Sequence, residues 1–156
     1  MGHILFQSKF AGKKNLIMQT KIILLLSIIA YSVIVGQSYM YIVALKNVQT
    51  DMSAGSFIQL RQLLDTSFRN NYQYAVYAAL ITSLILVLIN IKAPKSLLFI
   101  TACVAFIALI ADLLLMIKGN MPINDLINTW TTVHYPVNWA EYRAKWLQIF
   151  LYREVA

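Results

Sequence analysis

Polar and ionisable positions are spread unevenly along this chain, and the gaps between them define its elements. From Ile22 to Leu45, between Lys21 and Lys46, there is no acid or base apart from tyrosine. A second apolar run extends from about Tyr72 to Ile91, and a third from Leu97 to Ile117, interrupted only by Asp112. Each holds about 20 residues, which at ~1.5 Å per residue covers a hydrocarbon core of ~30 Å. A soluble domain of this size has no means of hiding three helices that are apolar all round. The pattern predicts an integral membrane protein with transmembrane helices over 22–45, 72–91 and 97–117.

The segments between the spans carry patterns of their own. Over 56–70, Phe57, Leu60, Leu63, Leu64 and Phe68 recur at helical spacing, which predicts an amphipathic helix. Asn70-Asn71 is a poor breaker, so this helix can run straight into the second span. Arg61, Asp65 and Arg69 stand at i, i+4 and i+8 on one face. They form either a solvated ion-pair row or a polar wall over the mouth of the bundle. Pro94, in Lys92-Ala93-Pro94-Lys95, marks a tight turn between antiparallel helices.

After Asn120-Met121-Pro122-Ile123-Asn124 comes a short amphipathic turn ending at Trp130, and then a polar loop from Thr131 to Pro136. Asn138, with Glu141 three residues on, reads as an asparagine capping box that opens a last helix over 138–156. Along it Trp139, Arg143, Trp146, Phe150 and Arg153 recur at spacings of 4, 3, 4 and 3, a stripe of aromatic and guanidinium groups. Tryptophan here can be an interfacial anchor beside snorkelling arginine. The alternative is a seam facing a partner surface, whose arginines seek carboxylates. On that view Arg143 pairs with Asp65 or Asp112.

Asp112 is the only acid within a span, about 9 Å below the end of its helix at Lys118. Such a residue faces the bundle interior and has a partner. Its role is either a structural ion pair with an arginine or a base whose acidity is set by burial and a nearby cation. The expected architecture is thus an all-α four-helix transmembrane bundle, with three full spans and a polar fourth helix.

Composition agrees. The 156 residues are 60% hydrophobic and 12% charged, enough for one helical domain and no second. The net charge of +7 comes mostly from residues flanking the apolar runs, which indicates a membrane surface and argues against nucleic acid. Cys103, the single cysteine, excludes an intramolecular disulfide and a cysteine metal site. No His and carboxylate spacing suggests a metal, and no Ser-His-Asp arrangement stands out. His134 reads as a solvent-exposed loop residue, with a base as the alternative.

The first run is longer than a signal-peptide core, and Gly36-Gln37-Ser38 is a weak cleavage match, so it reads as a retained helix. The leader over 1–20 carries Lys9, Lys13 and Lys14 without an acid, and Ile4, Leu5, Phe6 and Phe10 suit the interface. With Lys92 and Lys95, these lysines place the N-terminus and the second turn in the cytoplasm of a multi-pass cell-membrane protein.

Asn-Met-Pro-Ile-Asn followed by Trp130, Pro136, Trp139, Arg143, Trp146 and Arg153 resembles the signature of the anthrone-oxygenase-like membrane proteins, most of whose bacterial members are known only as a domain of unknown function. The likeness covers roughly 119–153. It implies a cofactor-independent oxygenase acting on planar aromatic or quinone-like molecules. Asn124, Trp130, Trp139, Arg143, Trp146 and Arg153 are the positions it carries over. Phe150 stands where the family often has a histidine, and the fourth apolar span of the family is missing.

Read as an enzyme, the chain would use Arg143 and Arg153 for an oxyanion, Asn124 as a donor, the tryptophans for stacking, and Asp112 or Asp65 as base. Arg61 and Asp65 would wall the ligand site. The competing reading is a non-catalytic accessory or assembly subunit, or a homo-oligomer. It rests on Ser27, Ser32, Gly36 and Ser38, which permit close helix packing in the first span. No inverted repeat supports a transporter.

Overall fold

A computed structural model of the chain describes the backbone of residues 2–155 and the side chains of Asn15 and residues 17–154. The leader side chains expected at the interface (Ile4, Leu5, Phe6 and Phe10) lie outside the described ones. Among the described residues every regular element is helical.

The chain rises through α1 (Gly2–Met40), passes a π-helical turn at Tyr41–Leu45 and ends that rod with α2 (Lys46–Asp51). It reverses at Met52, whose backbone is extended, and Ser53 caps α3 (Ala54–Ser67) by accepting the Ser56 amide at 3.4 Å. A second π turn, Phe68–Tyr72, leads directly into α4 (Gln73–Asn90). The turn around Pro94 returns the chain to α5 (Leu97–Leu115), where Ser96 accepts the Phe99 amide at 3.2 Å. A third π turn, Met116–Asn120, joins α5 to α6 (Met121–Ile127), and after a loop α7 (Trp139–Val155) descends against the bundle.

Three continuous helices are long and apolar enough to cross a membrane: Ile17–Asp51, Ala54–Asn90 and Leu97–Ile127, of 35, 37 and 31 residues. Each covers an expected span, to within one residue at Ile91, and all three extend past it by 6 to 18 residues at one common end. There the excess turns stand beyond the ~30 Å that the hydrocarbon needs, and α6, the loop and α7 cover them. We call this the capped end. The π turns lie where each rod passes from its apolar stretch into it. A π turn inserts one residue and redirects the side chains beyond it, which is why such turns gather at functional sites.

Two cores result. In the lower bundle α1 meets α4, and α4 meets α5, through small side chains. Ala30, Ala79 and Leu109 are buried there, with Ser27 and Ser83 at the same level. Outward-facing Ile29, Val33, Leu84, Leu88, Val104 and Ile107 remain exposed, a surface compatible with lipid. At the capped end a larger core joins Tyr41, Phe57, Ile58, Ile123, Ile127, Trp130, Trp146 and Phe150.

The last helix opens close to its expected start, with a different contact from a capping box. Asn138 Nδ2 donates to the Glu141 carboxylate at 3.4 Å, and the backbone N–H groups of Trp139 and Glu141 donate to the Pro136 and Asn138 carbonyls. Gly119 sets how closely α7 can lie. A Cβ there would stand 2.6 Å from Ile149 Cγ2, inside van der Waals contact.

Candidate functional site

Between the π turns and α7 lies a cavity of about 590 Å³. Its lower wall is apolar, with Val76, Leu80, Leu113 and Met116. Its upper wall is aromatic and charged, with Tyr41, Arg61, Asp65, Tyr72, Trp146 and Arg153.

Arg61 is the centre of that upper wall. It stands one turn or more inside α3, on the face that α6 and α7 cover, and is only 3% exposed. Nη1 donates to the Tyr41 hydroxyl at 3.1 Å and Nη2 to Asn124 Oδ1 at 3.0 Å. The guanidinium carbon lies 3.8 Å from the centre of the Trp146 ring, a cation–π contact. Tyr41 in turn donates to Gln49 Oε1 at 2.6 Å. Arg61 Nε and Gln49 Nε2 are buried without a hydrogen-bond partner in the protein.

Asn124 connects the elements. Its Oδ1 also accepts the Trp146 indole N–H at 2.8 Å, and its Nδ2 donates to Asp65 Oδ1 at 2.9 Å. One side chain of α6 therefore ties α3 to α7. Asp65 Oδ2 accepts from Asn128 and from Arg69, both at 2.8 Å, and Arg69 reaches on to Asp125 at 2.6 Å. Of the Arg61–Asp65–Arg69 face, only Arg69 is solvated, and Arg61 and Asp65 are interior.

Lower down, Arg153 grips Asp112 with two nitrogens, at 2.6 and 3.3 Å, and donates to Asn120 Oδ1 at 3.3 Å. Asn120 Nδ2 donates to the Trp146 carbonyl at 3.0 Å. Of the two roles considered for Asp112, the ion pair is the one the geometry displays. Asp112 is not among the residues lining the cavity.

Arg143 requires a correction. It pairs with neither Asp65 nor Asp112. Its Nη1 donates to the carbonyls of Gln49 and Met52, at 3.2 and 2.9 Å, where α2 ends. A guanidinium suits the negative end of a helix. Trp139 flanks it, 4.6 Å from ring centre to guanidinium carbon. The reason is axial: Arg153 lies ten residues further along α7, about 15 Å deeper, and so reaches the level of Asp112. Trp139 and Arg143 therefore hold the cap and do not line the cavity. Trp130 is buried edge-on against Tyr142, also in the cap. Trp146 stacks on Phe150, with ring centres 5.2 Å apart at 15°, and both face the cavity. His134 sits in the exposed loop.

Sequence reasoning missed Tyr41, Gln49 and Asn120. Nothing in the apolar run to Leu45 marks Tyr41, which opens the π turn Tyr41–Leu45 and whose hydroxyl meets Gln49 and Arg61. Asn120 carried a usable signal, since it stands four residues before Asn124 and so on the same helical face.

No family model, curated protein or solved structure matches this chain. What the site does is therefore argued from its own groups. It offers a flat aromatic wall, an apolar floor and a desolvated cation. The oxygens of Asp65 and Asp112 are already engaged by protein donors. Among the described residues there is no cluster of His, Cys, Asp and Glu fit to hold a metal.

Proposed function

We propose that this protein binds a planar aromatic or quinone-like molecule in the cavity at its capped end. It does so as a multi-pass membrane protein whose N-terminus lies in the cytoplasm, with α7 completing a four-helix bundle. The observation that carries the reading is the buried Arg61 guanidinium laid on Trp146 at the wall of a 590 Å³ cavity. A ring slotted beside Trp146 and Phe150 would rest its hydrocarbon on Val76 and Leu80 and turn an oxygen towards Arg61. Tyr41 and Asn124 hold the guanidinium in place.

The resemblance to anthrone-type oxygenases gives this site a reaction. An anthrone that gives up a ring CH₂ proton to water becomes an enolate, whose oxygen Arg61 would stabilise. The enolate then passes electrons to dioxygen. Loss of water leaves the carbonyl, so anthrone plus O₂ yields anthraquinone plus water.

The test uses purified protein in nanodiscs. Tryptophan emission should be quenched saturably by 1,4-naphthoquinone, and oxygen uptake with anthrone should exceed autoxidation and fall at least about tenfold in Arg61→Gln. Linear quenching identical to that of empty nanodiscs, with uptake at the autoxidation rate, would refute the reading. The alternative is an accessory or assembly subunit. It draws on the first long helix, Ile17–Asp51, whose apolar stretch is only 11% buried within the chain. Stable co-purification with other membrane proteins and no turnover would favour it.

A further inference from the structure

We propose that the cavity selects the ionised form of a lipophilic phenol or enol, with Arg61 making the bound hydroxyl more acidic. This deepens the reading of the cavity as a planar-ligand site, and rests on it, by assigning the charge state of the ligand.

Three arginines line the cavity: Arg61, Arg69 and Arg153. Arg69 is paired with Asp65 and Asp125, and Arg153 with Asp112. Among the described residues Arg61 has no carboxylate within ion-pair distance, although it is the most deeply buried of the three. Its nearest acid, Asp65, is reached only through the Asn124 amide, and that carboxylate is already held by Arg69. A ring face offsets only part of what it costs to bury a guanidinium. Its Nε is buried without a hydrogen-bond partner in the protein.

A neutral quinone oxygen would accept a hydrogen bond from Arg61 and leave it without a direct ion partner. A phenolate or enolate would supply both the acceptor and the opposite charge. Tyr41 cannot take that role, because its hydroxyl proton is committed to Gln49. The apolar floor rejects a small hydrated anion, whereas an aromatic body fits against it. The binding step is therefore ArOH going to bound ArO⁻ with the proton delivered to the buffer. The bond broken is O–H, and no redox partner is needed.

The experiment uses full-length protein in nanodiscs with 2-naphthol, its methyl ether 2-methoxynaphthalene, and 2-naphthoate. Absorbance should show the ionisation midpoint of bound 2-naphthol at least about one pH unit below that in empty nanodiscs, a tenfold preference for the anion. Calorimetry in two buffers of different ionisation enthalpy should show saturable proton release for naphthol and none for the ether. Arg61→Gln should abolish the midpoint shift. If that variant does not fold, the hydroxyl-versus-ether comparison on the unaltered protein decides alone. Equal binding of naphthol and ether without proton release overturns this proposal while the planar-ligand reading stands. Tighter binding of naphthoate than of naphtholate overturns the phenol assignment in favour of a carboxylate. Saturable binding of none of the three overturns both readings.

Discussion

The two ends of this bundle are held together by different physics. In the lower half, side chains from three helices meet through Ala30, Ala79 and Leu109, and their exposed apolar outer faces are compatible with lipid. Tyr31 supplies a cross-helix hydrogen bond there, to the Ala105 carbonyl at 2.9 Å. At the capped end α3, α6 and α7 are joined by a polar network through Arg61, Asn124, Asp65 and Trp146. Close packing, with the Tyr31 hydrogen bond beside it, holds the first region. The second is directional, since each buried polar group depends on a specific partner. The contrast ranks what substitutions should do.

Asn124→Leu should cost most. It strands Arg61 Nη2, the Trp146 indole N–H and Asp65 Oδ1 together, and unfolding in mixed micelles should become easier by about 3–5 kcal/mol. A loss no larger than that of a lipid-facing substitution would erase the contrast. Asp112→Asn comes next. It leaves the half-buried Arg153 without its ion partner, and a loss of about 2 kcal/mol should be partly recovered by exchanging the two charges.

Gly119→Ala should cost about 1–2 kcal/mol through overlap with Ile149, and Ile149→Ala in the same chain should relieve it. If the double variant is no better than the single one, α7 does not lie where described. Ile107→Ala, on the exposed face of α5, should shift the same transition by no more than about 0.5 kcal/mol.

The same contrast explains what the sequence made legible. The three spans follow from the requirement that backbone in lipid be helical and its side chains apolar, and uninterrupted runs display that directly. The continuity of α3 with α4 was also foreseeable from Asn70-Asn71, although the π turn at Phe68–Tyr72 was not. Polar positions at the capped end were visible as candidates, but their partners were not. Arg61 and Asp65 sit at i, i+4 like any surface pair, and nothing local says that α6 and α7 bury them. Spacing along α7 put Arg143 and Arg153 on one stripe. Which of them reaches Asp112 depends on depth, which only the docked helix defines.

A double-mutant cycle between Arg61 and Asn124, read by unfolding in mixed micelles, probes the closure of the capped end most directly. These residues lie 63 positions apart and meet only if α6 folds onto α3 around the buried guanidinium. A coupling of about 1–3 kcal/mol is expected for Arg61→Met with Asn124→Leu. Losses that add to within about 0.5 kcal/mol would contradict it.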